Sequence, residues 1–507
     1  MGLRFACLIG EAGISLLVCL ALGGCAVGPD FKSPDAPSAA SSLSYTPTAL
    51  PAETVEASGN AGVSQRFAFG QDIPAQWWSL FHSAALDQMI RGALQQSPNM
   101  AAAQAALRQA QENFNVQSGS LLYPSVSGQL SDTQQRASAV STGIPGGSVF
   151  NLLNASVNVS YTLDVFGASR RTLEASQAAV DYQRFQVEAT YLTLTSNLVT
   201  TAIKEASLRA QLQATHEVLD AQQQQLVVIE KQFALGAIAR ATMLAQRNQV
   251  AQTLASVPAL EKSLAQTRHQ LSVYAGQLPS ESGMPEFRLD SLQLPQDLPV
   301  TLPSALVRQR PDVRASEELL HEASAQVGVA TANQYPQITL SGSYGSAATH
   351  PADLFGNGAG FWSLAAGLLQ PIFNGGALSA KRRATIAAYD QAEAQYRATV
   401  LMAFQNVADS LRALDSDAST LKAQVAVEAL AQETLQLITR QYRLGAVSYL
   451  ALLDAERSYQ QAHIGLVQAQ AARYADTAAL FQALGGGWWN RRPVAEAPPT
   501  TPADPAN

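Results

Sequence analysis

The chain of 507 residues is long enough for several domains, and its composition argues against several classes of function. Its net charge of −7 argues against nucleic acid as a partner, because phosphate backbones bind surfaces rich in Lys and Arg. The 6 histidines are scattered, and none pairs with another His or a Cys at metal-ligand spacing. Since the chain also contains no Gly-x-Ser-x-Gly sequence and no phosphate-binding loop motif, the sequence predicts neither an enzyme nor a metal site.

The N-terminus predicts an exported lipoprotein. Residues 1–24 have the basic start and apolar centre of a signal peptide. Leu22, Gly23 and Gly24 precede Cys25 as in the bacterial lipoprotein box, where the thiol is diacylated and becomes the new N-terminus. The alternative is an ordinary signal peptide followed by an unrelated cysteine. After cleavage Cys25 is the only thiol, so no internal disulfide can form, whereas acyl chains each contribute about 0.8 kcal/mol of anchoring per buried CH₂.

Residues 25–75 are predicted to be the lipid anchor and a linker, because Pro, Ser, Ala and Thr dominate them without periodicity. A helical pattern follows from about residue 83 to 118 and ends before Tyr123 and Pro124. Residues 153–165 then alternate apolar and polar side chains without a break, which is typical of a strand with one apolar face, and a weaker partner strand precedes them. The alternation alone fits a soluble hairpin and a membrane barrel equally well.

A helical pattern without Pro or Gly extends from about residue 168 to 234 and is followed by a shorter one that ends at Tyr274. Leucines recur in the first at heptad spacing, which is typical of a coiled-coil seam. At 1.5 Å per residue the first helix is expected to span roughly 100 Å. The turn between the two helices contains Gly236, where a positive φ costs little.

The whole arrangement then recurs. Residues 441–455 repeat residues 232–246 at one constant offset, so Gly445 matches Gly236. Two more strand patterns and a long helix from about residue 377 to 443 precede the second turn. The predicted organisation is a first repeat at 76–278, a connector at 279–303, a second repeat at 304–487 and a disordered tail at 488–507.

Each repeat is thus expected to contain two strands and a long antiparallel pair of helices. No segment after the signal has the roughly 18 consecutive apolar residues of a membrane helix, so a membrane crossing would need strands. Four strands cannot close a barrel, and open strand edges are not tolerated in lipid. Several subunits must therefore pool their strands.

These features resemble the TolC-like outer-membrane efflux proteins, in the lipoprotein branch that serves RND efflux systems. The resemblance is carried by residues 25–34, Trp77, Trp78, residues 308–314, Tyr335, Pro336, residues 371–376, residues 441–445, and Leu452, Leu453 and Asp454. It implies a mainly α fold with a transmembrane β-barrel. Three chains would contribute four strands each to a twelve-stranded barrel, which stands on a long α-helical coiled-coil barrel.

The resemblance implies the function as well: an outer-membrane channel that is the exit duct of a tripartite efflux pump in a Gram-negative cell. It would conduct drugs or other small molecules passively, as in multidrug resistance. The implied partners are two further copies of the chain in a homotrimer, a periplasmic adaptor protein, an inner-membrane RND-type transporter and outer-membrane lipid. No cofactor is implied beyond the covalent lipid on Cys25, an N-acyl group such as palmitate and an S-diacylglycerol. Two alternatives remain, a type I secretion duct and a structural coiled-coil lipoprotein.

The resemblance also implies a gate at the periplasmic end of the tunnel. By position in the motif, Leu450, Asp454 and Tyr442 correspond to the residues that close it. Three carboxylates around one axis repel each other and attract cations, and three leucines can dewet a narrow pore. From the residues alone, Asp454 could equally be a solvated acid and Leu450 part of a coiled-coil core.

The two turns are the surface that the family offers to its adaptor. Here that adaptor-docking tip consists of Gly236 and Ala237 in the first turn and Gly445 and Ala446 in the second. Small residues suit the close approach of another helix. The alternative is that the glycines serve only the turns, and both roles are compatible.

Overall fold

The computed structural model describes residues 26–35, 45–138, 140, 147–281 and 283–491. The predicted signal peptide, Cys25 and all but the first four residues of the predicted tail lie outside these residues. The helices are α1 Ala84–Gln96, α2 Pro98–Leu122, α3 Ala168–Ala234, α4 Arg240–Tyr274, α5 Pro303–Gln309, α6 Pro311–Ala332, α7 Ala377–Arg443 and α8 Tyr449–Ala483. The strands are β1 Arg66–Phe69, β2 Ser125–Ala137, β3 Ser148–Leu163, β4 Asp297–Val300, β5 Gln337–Ala348 and β6 Gly360–Leu369.

The chain divides into two compact units, each built from both repeats. Among the described residues, the first unit consists of 26–34, Ala105–Arg184 and Ala315–Arg397. The second consists of 35, 45–104, Phe185–Arg314 and 398–491. The strands β2, β3, β5 and β6 belong to the first unit, and the helical hairpin turns belong to the second.

The two long helices confirm the sequence prediction in both position and length. Helices α3 and α7 contain 67 residues each, which corresponds to about 100 Å at the α-helical rise. Their hairpin partners α4 and α8 contain 35 residues each. Helix α4 runs through Pro258 without ending, although proline removes one backbone hydrogen bond there.

The first unit contains one antiparallel sheet in the order β2-β3-β5-β6, so a strand of the first repeat pairs with a strand of the second. The register places Gly128, Val157, Tyr344 and Trp362 side by side in one row. Residues directly opposite in neighbouring strands share a face, so most of the apolar residues of the four strands lie on the same side. This face is apolar along most of its length, and within the sheet β2 and β6 each have one edge without a neighbouring strand.

The first predicted helix is interrupted, contrary to the single pattern expected from about residue 83 to 118. Helix α1 ends at Gln96, and Ser97 has an extended ψ of 122°. The next residue, Pro98, disfavours helical geometry in the residue before it, which explains the break. Helix α2 then continues to Leu122, four residues beyond the predicted end.

The regions predicted to be a linker and an irregular connector contain regular structure. Strand β1 from the linker pairs in parallel with β4 from the connector, in the register Arg66↔Asp297. The side chain of Arg473 on α8 is fully buried and donates to the carbonyl of Ala61 at 2.7 Å and to the side chain of Gln65 at 2.9 Å. These linker residues therefore belong to the core of the second unit. Residues 488–490 of the predicted tail form a short 3₁₀ helix.

Two further findings limit what the described residues can do. None of their helices has the length and apolar character needed to cross a lipid bilayer. Nor do these residues contain a group of three or more His, Cys, Asp or Glu side chains that could hold a metal ion.

Candidate functional site at the hairpin tips

The two helical hairpins end in turns with the same backbone geometry. Gly236 and Gly445 have φ angles of 74° and 71°, a region in which a side chain would be strained. The N–H of Ala237 donates to the carbonyl of Gln232 at 2.9 Å, and the N–H of Ala446 makes the equivalent bond to Gln441 at 2.9 Å. Both turns also contain the tighter bond from the glycine N–H, so both are Schellman motifs. The equivalence predicted from the sequence repeat is therefore present in three dimensions.

Each turn presents small residues and one leucine to solvent. Gly236, Ala237, Gly445 and Ala446 are all exposed in the protomer. Leu235 and Leu444, which precede the glycines, are 85% and 83% exposed. Each tip therefore carries an apolar side chain that the described part of the protomer leaves largely exposed.

A small hydrophobic core lies beneath the turns. Its buried members are Ile229, Met243, Tyr449, Leu452 and Leu453. Tyr442 is partly buried against this core, with its ring 5.3 Å from that of Tyr449. Tyr442 was predicted to belong to the gate, and in the protomer it lies against the hairpin core.

Leu450 and Asp454 lie together on the other side of α8. Their spacing of four residues places them on one helix face, and both are exposed in the protomer, Leu450 by 63%. The carboxylate of Asp454 is 3.4 Å from the guanidinium of Arg457, three residues further along α8. The sequence reasoning missed this ion pair, which places a positive charge beside the predicted ring of carboxylates.

A chain of polar contacts crosses the buried side of the hairpins. The hydroxyl of Tyr449 donates to the side-chain oxygen of Gln246, which is fully buried on α4. The amide nitrogen of Gln246 donates in turn to the backbone carbonyl of Gln222 on α3 at 2.7 Å. A glutamine among apolar helix positions was the only sequence signal for this chain of contacts. It links three helices at the base of the tips.

Glu456 is the least expected titratable group of the region. Glu456 is the residue after the buried Ala455 on α8. Burial raises the pKa of its carboxyl to about 7. Among the described residues its Oε2 atom has no hydrogen-bond partner. Burial, followed by the proximity of Glu456, also raises the pKa of Tyr449. The hairpin region therefore contains a half-buried acid whose carboxyl keeps its proton to a higher pH than an exposed glutamate does.

Comparison with known proteins identifies the family. A sequence profile described as "Outer membrane efflux protein" matches residues 89–277 and 302–486, one match for each repeat. The chain belongs to the outer membrane efflux protein family. Pyoverdine export outer membrane protein OpmQ of Pseudomonas aeruginosa is 32% identical over 427 residues, which cover 82% of this chain and 88% of that protein. Probable efflux pump outer membrane protein TtgC of Pseudomonas putida is 28% identical over 475 residues, which cover 93% and 94%.

A solved structure of this efflux family agrees with the fold. The outer-membrane channel OprN superposes with a TM-score of 0.81 at 26% identity and covers 92% of this chain and all of its own. These likenesses confirm the predicted family, fold class, function and location. The chain is an outer-membrane efflux channel of a Gram-negative cell, and its family is one of channels rather than of enzymes.

Proposed function

We propose that three copies of this chain form the lipid-anchored exit duct of a tripartite efflux pump that expels drugs or other small molecules. The observation that carries the proposal is the four-stranded sheet with one apolar face and two open edges. Open edges expose unpaired backbone N–H and C=O groups, and placing each such group in hydrocarbon costs roughly several kcal/mol of free energy. Pairing β2 of one copy with β6 of the next would satisfy both edges, and three copies would close a barrel of twelve strands.

The anchor proposed for this duct is the lipid on Cys25. An N-acyl group and an S-diacylglycerol together supply more than one acyl chain, and stable anchoring needs at least two membrane signals. The chain resumes in the described structure at Ala26, one residue after the anchor. The outer-membrane location of the family agrees with this position of the lipid.

The hairpin tips are the proposed contact with a periplasmic adaptor, through which an inner-membrane RND-type transporter would feed the duct. Gly236, Ala237, Gly445 and Ala446 allow a partner backbone to approach closely, because none has a side chain larger than a methyl group. Leu235 and Leu444 add exposed apolar area at the same places. Small residues beside an apolar one suit a helical hairpin of the partner laid end to end against the tip.

The proposed gate consists of Leu450 and Asp454, one ring of each side chain in the trimer, with Tyr442 supporting it from the hairpin core. Leu450 and Asp454 share one exposed face of α8. The polar contacts from Tyr449 through Gln246 to α3 would then hold this face in place. A displacement of α8 that opens the pore has to break these contacts.

The decisive experiment measures the mass and the conductance of the full-length, detergent-purified protein. Light scattering is expected to give three chains per particle, and negative-stain images a detergent belt at one end. The same sample is expected to produce ion-conducting events in a planar lipid bilayer. A monomer without conductance, or a filament that stays soluble without detergent, would refute the duct and favour a structural lipoprotein.

A further inference from the structure

The segment that follows the anchor cysteine is not free. The N–H of Val27 donates to the carbonyl of Phe166 at 3.1 Å, at the link between β3 and α3. Gly167, the next residue of this link, has a φ of 84°, and a Cβ added there would lie 2.8 Å from Ala26. The residues directly after Cys25 therefore lie where the sheet of the first unit joins α3. We call residues 26–34 the strap.

An ion-pair network fixes the middle of the strap. The carboxylate of Asp30 is 2.5 Å from the guanidinium of Arg171, which is only 5% exposed. Arg171 also binds Glu174 at 2.7 Å, one turn further along α3. A buried guanidinium that lost one of two carboxylate partners would be poorly compensated, so this pairing holds the strap firmly.

A second set of contacts joins the strap to α6, which belongs to the second repeat, whereas α3 belongs to the first. The ring of Phe31 stacks on the imidazole of His321, with centroids 4.3 Å apart and planes inclined by 15°. The imidazole lies between two carboxylates, 3.1 Å from Glu174 and 3.3 Å from Glu318. The hydroxyl of Ser33 donates to the carboxylate of Glu317.

A glycine inside α6 makes room for these contacts. A Cβ added to Gly28 of the strap would lie 2.6 Å from the Cα of Gly328, and a Cβ on Gly328 would lie 2.8 Å from the side chain of Arg171. Glycine weakens the interior of a helix, so helix formation gives no reason for it at this position. The close approach of the strap and of Arg171 explains the glycine, because a side chain at this position would collide with them.

We propose that the strap seats the lipid anchor at the helix-to-strand junctions of both repeats, with Arg171 and His321 as its positioning residues. Ala26, which a Cβ on Gly167 would approach to 2.8 Å, is the residue that follows Cys25 in the chain. The ring of Phe166 stacks on that of Tyr335, 4.8 Å away, which joins this junction to the one before β5. The anchoring role of the strap rests on the proposed acylation of Cys25. The contacts that hold the strap do not depend on that acylation.

The seating is expected to depend on pH through His321. The hydrogen bond with Glu318 raises the pKa of His321, and Glu174 adds to this against the lowering effect of partial burial. A protonated imidazole also attracts the face of the Phe31 ring more strongly. Glu318 and Glu174 stay beside the imidazole when the strap leaves, so the stack on Phe31 is the contact that links seating to the protonation of His321. The seating is therefore expected to be stronger while His321 is protonated and to weaken as pH rises through its raised pKa. The charged groups around the ring and the strap are Glu174 and Arg171 on α3, Glu317, Glu318 and Glu322 on α6, and Asp30.

The test is tryptic cleavage of the Lys32–Ser33 bond in the full-length, detergent-purified protein, followed by mass spectrometry. A protease needs a stretch of released chain, so its rate reports the population of unseated strap. Arg171→Met is expected to accelerate cleavage several-fold, because it removes the ion pair between the buried guanidinium and Asp30, whose carboxylate is exposed to solvent. The matched control is Arg184→Met, because Arg184 also pairs with a carboxylate of α3, Asp181, and lies about 20 Å further along that helix than Arg171. Gly328→Ala is expected to accelerate cleavage while the helical content stays unchanged.

The pH arm compares the wild type with His321→Phe between pH 6 and 8, with rates referred to an unfolded peptide of the same sequence. The wild-type rate is expected to rise with pH, whereas the variant keeps a ring stack and should show no pH dependence. Cleavage of the wild type at the peptide's rate would overturn the strap, as would unchanged rates in both Arg171→Met and Gly328→Ala. The mass of the released N-terminal peptide tests acylation separately: a peptide without lipid overturns the anchoring role, and the three-chain mass and conductance of the duct are unaffected by either result.

Discussion

The two hairpin tips share the same backbone geometry but differ in the side chains that flank the turn. Both end in the same Schellman turn, yet the leucine eight residues after the turn glycine is 48% exposed in the first tip and 3% exposed in the second, at Leu244 and Leu453. The first helix after each turn starts differently as well, since Ser448 caps α8 with its side chain and Ala239 cannot cap α4. The two repeats therefore share the residues that form the turn and differ in the residues that flank it.

The divergence concentrates the predicted gate in the second tip. When the two repeats are aligned, Leu450 corresponds to Ala241 of the first tip and Asp454 corresponds to Ala245. An alanine has neither the bulk to dewet a pore nor a charge to bind a cation. In a trimer the two kinds of tip would alternate, and only one kind would close the channel.

The largest difference is expected from the paired leucines. Leu453→Ala removes a buried side chain and is expected to lower the free energy of local opening at the tip by about 2–4 kcal/mol. Leu244→Ala, the matched change in the first tip, should cost less than about 1 kcal/mol because that side chain is half exposed in the protomer. Hydrogen exchange of the tip residues measures both. Equal costs would show that assembly buries Leu244.

A pH dependence is expected in the second tip through Glu456. The folded state holds a proton that the unfolded chain releases, so the stability that this proton provides is complete below about pH 4.5 and decreases as pH rises towards 7. After allowance for partial exposure, the loss should be on the order of 1–2 kcal/mol.

The measurement for Glu456 is hydrogen exchange of the tip from pH 5 to 8, corrected for intrinsic rates. Glu456→Gln should remove the slope. The control is Glu230→Gln, which breaks an exposed ion pair with Arg247 at 2.7 Å and should leave the slope in place. A wild-type tip with no slope would show that the carboxyl is ionised throughout this range.

The gate itself is tested by exchanging the acid between the tips. Asp454→Ala is expected to raise ion conductance several-fold in planar bilayers and to remove block by divalent cations, because it removes the proposed ring of carboxylates. Arg457→Met should have the opposite effect on block, since it removes the positive partner 3.4 Å away. Ala245→Asp in the first tip should leave resting conductance unchanged. A response to Ala245→Asp as large as that to Asp454→Ala would place the constriction at both tips.

The smallest difference is expected from the helix caps. Ser448→Ala removes the side-chain bond to the N–H of Ala451 and should cost about 0.5–1 kcal/mol of local stability. Ala239→Ser should stabilise the first tip by a similar amount, about 0.5–1 kcal/mol. Hydrogen exchange in the first turn of α4 and of α8 reports both changes. A stabilised first tip alone would indicate that α8 is held by packing rather than by its cap.

Local patterns predicted most of the fold. The bounds of α3 and α7 followed from runs without Pro or Gly, and β3 from an unbroken alternation, because both signals lie within the segment itself. The break at Ser97 was also a local signal, since Pro98 follows it, yet a single helix was predicted. The β1–β4 pairing could not be predicted, because it joins residues far apart in a stretch without periodicity.

The site was predictable in position but not in environment. The repeat located both turns, and the family resemblance singled out Leu450 and Asp454, whereas the residues alone left their exposure open. The ion pair with Arg457 and the packing of Tyr442 depend on side-chain directions that spacing does not determine. The contacts of the strap could not be predicted, because they join residues 26–34 to side chains on α3 and α6 that are far away in the sequence. Gly328 is a local trace of these contacts, since it is a glycine within a helical pattern.

The unpaired edges of β2 and β6 have a consequence for how the cell makes this protein. Between export and assembly, each newly made chain exposes two strand edges and an apolar sheet face, which are templates for aggregation. Because the proposed trimer covers these edges only after a chain has met further copies, the demand for periplasmic chaperones is expected to rise with the rate of synthesis. Overproduction of this chain should therefore burden the envelope before any channel opens.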